Sequence, residues 1–445
     1  MQPSRFFQAT HSSLTGLNIA CLRAILLSIC LTLASCSDST STTTSGDTDP
    51  SGDFATLPQT ARFLTQATFG PTPTQLDTLT GVSASAWYRA ELEKPATLVE
   101  PFLKDWENRL QVVAIYGGTF TPPDGADNGA EEDDGDAAFD QFREYFNHLN
   151  QAGFWKNALR ADDQLRQRVA FALSQILVVS DAAGEALNDF PGAMAYYQDV
   201  LNRNALGNYR QLLEEVTYAP AMGYWLTYMG NQKGDPATGR IPDENYAREI
   251  LQLFSIGLVQ LNPDGSVQTG ANGQPLETYN NDDIAGLARV FTGLDLDLDG
   301  GYSLEAVDLE TYGQTADLWL RPMRRFPERH STLEKRFLGS VIPANTDAAT
   351  SISMALDTIF AHPNVGPFIG RQLIQRLVTS APEPAYIARV SSAFDSGSYS
   401  LPDGGVVGSG MRGDLAATVA AVLFDAEART EPAMQGTQFG KLREP

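Results

Sequence analysis

The sequence predicts an all-α fold: a large multi-helix domain with long decorated loops and few short strands. Three observations carry this. Apolar residues recur at helical spacing in several long segments, strand patterns are sparse and short, and no strand–helix alternation of the kind that builds a parallel sheet is found. In chain order, Asp162–Ser180 places Leu165, Val169, Leu173, Ile176 and Leu177 on one stripe, with Arg166 and Arg168 on other faces. Its opening Asp pair suits a helix N-terminus, by capping and by the macrodipole. Helices follow at about Gly192–Asn204 and at Tyr209–Thr217, the latter ending before Pro220. Asp282–Phe291 is again opened by acids, and Ser351–Phe360, Val365–Val378 and Asp414–Ala428 complete the set.

Asp243–Gly257, DENYAREILQLFSIG, divides into two faces. Tyr246, Ile250, Leu253, Phe254 and Gly257 form an apolar stripe, and Asp243 is placed to cap the helix. The other face carries Glu244, Asn245, Arg248, Glu249 and Gln252, with Glu244/Arg248, Asn245/Glu249 and Arg248/Gln252 as i,i+4 pairs. Such a face either fixes how the helix docks or binds something. In the second case Glu244 or Glu249 is a general base or metal ligand, and Arg248, with Asn245, clamps an anionic group.

The N-terminus gives an address. Residues 1–35 carry Arg5 and Arg23, no acid, and the apolar run Ala24–Ala34, which is too short to span a bilayer and has the form of a secretory leader. The run ends in Leu33-Ala34-Ser35-Cys36, which resembles the lipobox of bacterial lipoproteins, where the Cys becomes the lipidated first residue. Ser37 at the next position favours the outer membrane, so the expectation is a cell-envelope protein held to the membrane by lipid. Cys21 and Cys30 leave with the leader and Cys36 is consumed, which excludes disulfides and Cys nucleophiles. Residues 36–54 read as a flexible Ser/Thr/Asp-rich tether, and 55–445 as the helical domain.

The formal charge of −23 grows more negative when Arg5 and Arg23 leave. Such a surface repels phosphate backbones, so a nucleic-acid partner is not expected. Asp124–Asp136 holds seven acids in thirteen residues and reads as a solvated loop. Asp295–Gly300, DLDLDG, matches the first half of a calcium loop through Asp295, Asp297 and Asp299, but position twelve is Ala306 rather than Glu. Calcium binding and a plain acidic turn both remain open there.

No HExxH, P-loop, G-x-S-x-G or dinucleotide glycine pattern occurs. Past the leader, the histidines are His148, His330 and His362. His330 lies within a basic patch, Arg321, Arg324, Arg325, Arg329, Lys335 and Arg336, which either binds an anion or balances neighbouring carboxylates. It is the choice for acid/base work alongside Glu244 and Glu249, with Lys335 as a further substrate-binding residue. His362, in AHPNVG, reads as a loop or cap residue.

Several segments together resemble one bacterial family, the domain of unknown function 1800. They are ARFLTQATFGPT (61–72), DQLRQRVAFALSQILVVS (163–180), NALGNYRQLLEEVTYAPAMGYWL (204–226), PDENYAREILQLFSIGL (242–258) and DIAGLARVFTGL (283–294). Then come His330, Lys335, Leu338 and Gly339, HPNVGPFIGRQLIQRLVTSAPEPAYIARV (362–390) and GDLAATVAAVLFDAEAR (413–429), all in the family's order. The chain stops at GKLREP, where the family's pattern continues, so it looks C-terminally incomplete. The resemblance names a group without supplying a reaction. It implies a secreted partner, the domain of unknown function 1501 family, which resembles the alkaline phosphatase and sulfatase group. The leading expectation is an envelope lipoprotein that binds or assembles with such a partner. The alternative is a hydrolase acting on an extracellular anionic polymer through Glu244, Arg248, Glu249 and His330.

Overall fold

Threonine and proline open the first two described helices. In α1 (Leu57–Ala67) and α2 (Pro73–Leu79) the side chains of Thr56 and Thr72 accept the amide hydrogens of Gln59 and Gln75, and each Gln side chain accepts the Thr amide in return. Two otherwise unpaired donors are thereby satisfied at each start. The computed structural model describes residues 54–105, 148–181, 187, 191–297, 318–430 and 439–442. The leader, Cys36, the tether up to residue 53, the acidic loop 124–136 and Asp299 lie outside these. The described residues belong to one compact unit, Thr48–Pro445.

The other described helices are α3 (Ala84–Leu92), α4 (Leu149–Arg160), α5 (Gln164–Ser174), α6 (Pro191–Asn204), α7 (Tyr209–Tyr218), α8 (Pro220–Trp225), α9 (Asn245–Gln252) and α10 (Asn281–Ala288). After them come α11 (Ala348–Phe360), α12 (Val365–Leu377), α13 (Pro384–Ser396), α14 (Leu415–Leu423) and α15 (Ala426–Arg429). The strands are short antiparallel pairs: β1 (Leu294–Asp295) with β2 (Arg324–Arg325), β3 (Lys335–Phe337) with β4 (Ser340–Ile342), and β5 (Tyr399–Ser400) with β6 (Val406–Val407). The fold is mostly helical. Among the described residues no helix is long and apolar enough to cross a membrane.

Two helices are buried on nearly every side. In α5, Leu165, Val169, Ala170, Ala172 and Leu173 are inside, and α1, α3, α4, α6 and α12 all pack on it. In α14 every residue from Leu415 to Leu423 is buried. Tyrosine hydroxyls tie this core to helix ends and turns. Tyr88 donates to Ala416 O at 2.6 Å, Tyr197 to Leu177 O at 2.5 Å, Tyr209 to Phe254 O at 2.6 Å and Tyr386 to Val422 O at 2.5 Å. Each bond satisfies a buried carbonyl while the ring contributes apolar area.

Several expectations change in detail. The first long helix stops at Ser174 rather than Ser180, because the carbonyls just beyond take tertiary donors: Gln175 O from Arg376 at 2.7 Å and Leu177 O from Tyr197. Arg168, expected on another face, is buried and donates to Arg376 O at 3.0 Å. Asp163 makes no side-chain cap bond and instead accepts the Thr97 amide at 2.9 Å. With Asp199, which accepts the Val99 and Glu100 amides at 2.6 and 3.0 Å, it pins the segment 97–100 from within the core. Asn280, not an acid, caps α10, and Asp283 completes its capping box. Asp414–Ala428 divides in two, since Asp425 caps a new turn and holds Arg389 at 2.6 Å.

Candidate functional site

The polar face of α9 is the site the sequence singles out. Tyr246, Ala247, Ile250 and Leu251 hold the helix to the core. Tyr246 stacks on Tyr228 with centroids 4.1 Å apart, meets Phe291 edge-on at 4.7 Å, and shares a 2.8 Å hydrogen bond with Thr217 Oγ1. Leu253, placed on the apolar stripe by its spacing, is 44% exposed, because the helix ends at Gln252 and the chain turns. Leu251 is buried in its stead.

The approach to α9 is an organised polar turn. Asp243 Oδ1 accepts the Asn245 amide at 2.8 Å, and Thr227 Oγ1 donates to Asp243 Oδ2 at 3.1 Å. The Asp243 amide donates to Asn231 Oδ1 at 3.0 Å. Thr227 sits at φ +61°, a left-handed conformation that a β-branched residue adopts only where its surroundings impose it. No feature of the sequence marks this position.

Of the three expected i,i+4 pairs, Glu244 and Arg248 meet at 3.5 Å with both side chains about two-fifths exposed. Gln252 accepts from the Tyr279 hydroxyl at 3.4 Å, and Asn245 Nδ2 reaches Thr227 Oγ1 at 3.5 Å. Glu249 is half-buried, and its Oε2 is buried with no hydrogen-bond partner among the described residues. Desolvation pushes its carboxyl above the usual range, and the neighbouring Arg248 only partly opposes this. Burial also raises the Tyr279 phenol, which feels Arg248 and Glu249 in opposite senses. Tyr279 thus joins Glu244, Arg248, Glu249 and Gln252 as a site residue that helix periodicity could not reveal, since it arrives from another segment.

His330 and Lys335 stand in a different setting. His330 is 4% exposed. Its Nδ1 lies 2.9 Å from Thr292 O, which makes that nitrogen the donor, and its Nε2 lies 3.4 Å from Ser351 Oγ. Burial lowers its pKa, so it is neutral at ordinary pH. Lys335 is fully buried at the start of β3, and its ammonium donates to Ser331 O at 3.0 Å and Leu333 O at 3.4 Å. Burial lowers its pKa too. Lys335 closes the 331–335 turn while His330 ties it to Thr292 and Ser351, and no hydrogen bond or ion pair among the described residues joins them to Glu244 or Glu249. His362 Nδ1 accepts the Asn364 amide at 3.1 Å, a local cap.

The acidic turn and the basic patch meet. Strands β1 and β2 set Leu294 opposite Arg325 and Asp295 opposite Arg324. Asp295 pairs with Arg329 at 2.6 Å, and Asp297 with Arg324 at 3.4 Å and Arg321 at 3.5 Å. Arg329 lies over the Phe326 ring at 4.6 Å, and Arg336 pairs with Glu334 at 2.6 Å. Among the described residues, no three His, Cys, Asp or Glu side chains are placed together to hold a metal ion.

Neither the curated proteins nor the solved structures contain a match to this chain. A family model described as "Protein of unknown function (DUF1800)" matches residues 62–445, which covers every helix from α2 to α15 and all the candidate site residues just described. The chain belongs to the DUF1800 family.

Proposed function

We propose that this chain is a binding or assembly component of the bacterial cell envelope, anchored through lipid on Cys36 to the outer membrane, and that it engages a secreted partner protein through the polar face of α9. One observation carries the reading: Glu249 presents a half-buried carboxyl with an unpartnered oxygen, on a helix whose approach is held rigid up to the left-handed Thr227. A partner donating a hydrogen bond or a cation to that oxygen removes the desolvation penalty that Glu249 carries alone. Leu253 and Leu258, 44% and 58% exposed, supply apolar area close in sequence. The partner class is the secreted family of domain of unknown function 1501.

The test uses tagged full-length protein recovered from cell envelopes, with the co-purifying protein identified by mass spectrometry. Wild type retains a member of that secreted family, whereas Glu249→Lys and Arg248→Glu lose it. Retention by both variants would rule out α9 as the interface. Cys36→Ser moves the protein from the membrane to the soluble fraction, and unchanged fractionation would count against the anchor.

The raised Glu249 carboxyl also supports a second reading, a hydrolase acting on an extracellular anionic polymer. A protonated Glu249 would donate to the leaving group and Arg248 would hold the anion. His330, buried against Thr292 and Ser351, has no part in that version. Glu249→Gln would then abolish polymer cleavage without shifting the unfolding midpoint.

A further inference from the structure

Helices α4, α5 and α6 pack around a half-open cavity of about 200 Å³. Its walls are apolar and aromatic, with Val99, Phe154, Phe171, Met194, Tyr197 and Leu201 among them, and no lining side chain carries charge at neutral pH. Most of its polar groups are already engaged. The Tyr197 hydroxyl donates to Leu177 O at 2.5 Å, the Gln167 amide to Thr97 O at 2.8 Å and the Ser174 hydroxyl to Phe171 O at 2.8 Å.

Two are not. Gln198 and Asn202 stand one turn apart on α6, and both line the cavity. Asn202 is only 4% exposed. Its Oδ1 and the Gln198 Oε1 are buried with no hydrogen-bond partner among the described residues. Buried acceptors left unpaired are costly and uncommon, and two in one apolar cavity mark where a donor from outside the chain fits. A charged ligand would be desolvated here without a counter-charge, so the occupant is neutral. An apolar cavity of about 150 Å³ accommodates benzene, so this one takes a single substituted ring or an aliphatic molecule of similar size.

We infer that this cavity binds a small, uncharged, largely apolar molecule bearing a hydroxyl or amide hydrogen, which it donates to Asn202 Oδ1 or Gln198 Oε1. The site is separate from the α9 face and does not depend on the function proposed for it. The probes are 4-methylphenol and toluene, which share a ring and a methyl group and differ by one hydroxyl.

Binding is measured by titration calorimetry and ligand-observed NMR on the full chain. Wild type is expected to bind 4-methylphenol about tenfold more tightly than toluene, the difference one hydrogen bond makes. Asn202→Leu narrows the gap between the two affinities, and Ala170→Leu, which fills the space, removes binding of both. If Asn202→Leu does not fold, Gln198→Leu, at a less buried position, gives the same readout through a reduced preference. Equal wild-type affinities, binding that survives Ala170→Leu, or no binding of 4-methylphenol, as when water alone fills the space, each overturn the inference.

Discussion

Replacing Gly286 by alanine sets two physical effects against each other. Gly286 lies inside α10, where alanine is intrinsically the better helix former by about 1 kcal/mol. Its Cβ, however, would stand 1.7 Å from the Arg336 carbonyl oxygen and 2.7 Å from the carbonyl carbon, where ordinary contacts begin at 3.4 Å. The obstacle is backbone and cannot rotate aside, so α10 and β3 must part. That interface is also held by Asp283 Oδ1, which accepts the Leu338 amide at 2.7 Å, and by Arg289, which donates to Glu334 O at 3.2 Å. Overpacking of this kind costs about 3 kcal/mol at the upper end of its usual range, leaving a net loss of roughly 2 kcal/mol after the helix gain. At about 2.1 cal/mol/K per residue, a unit the size of Thr48–Pro445 has an unfolding entropy near 0.8 kcal/mol/K, so the melting midpoint should fall by about 2–3 °C. Calorimetry and urea unfolding of the two forms measure it. A midpoint that holds or rises, as helix propensity alone dictates, would refute the close approach.

The other predictions concern buried titrating groups. Burial pushes the Asp199 carboxyl up to about 6. Between pH 4 and 6 the folded chain therefore holds a proton that the unfolded chain has released, and the Asp199 contribution to stability falls as pH rises, by about 3 kcal/mol in all. Asp199→Asn keeps one of the two amide contacts and lacks this slope. Its stability relative to wild type should therefore improve between pH 4.5 and 7, and parallel unfolding curves would contradict the assignment. For His330 the sign is reversed. Burial lowers its folded pKa, so above about 6.5 it is neutral in both states, and as pH falls through that value the unfolded chain takes the proton first and stability is lost. NMR titration of the assigned imidazole should give a midpoint below 6.5, and a midpoint at or above it would show a solvated or ion-paired ring.

What the sequence made legible was whatever depends on residues near one another in the chain. The buried pair Tyr246 and Ile250 and the i,i+4 meeting of Glu244 with Arg248 both follow from helix period alone. Leu253 escaped that rule because the period no longer applies after the helix ends at Gln252. Helix α13 lies outside the expected set, although Tyr386, Ile387, Val390 and Phe394 stand at helical spacing in it. What stayed hidden came from long-range pairing. The acids Asp295 and Asp297 and the arginines 321, 324 and 329 are one feature rather than two, but only the β1–β2 register brings them together. His330 and Lys335 carry charge-flanked motif signals, yet their burial is set by Thr292, Ser351 and the 331–335 turn, which no local pattern encodes. Thr227, Tyr279 and the Gln198–Asn202 pair likewise gain meaning only from neighbours brought in by folding.

The central claim is that the α9 face binds a partner and that Glu249 is the group the partner satisfies. The most direct measurement is the affinity of purified full-length protein for the proposed secreted partner, compared between wild type, Glu249→Gln and Glu249→Lys by titration calorimetry across pH 5 to 8. The account predicts weaker binding by Glu249→Gln, loss of binding by Glu249→Lys, and a wild-type affinity that rises with pH as the raised Glu249 carboxyl ionises. Equal affinities for all three forms, with no pH dependence in the wild type, would contradict it.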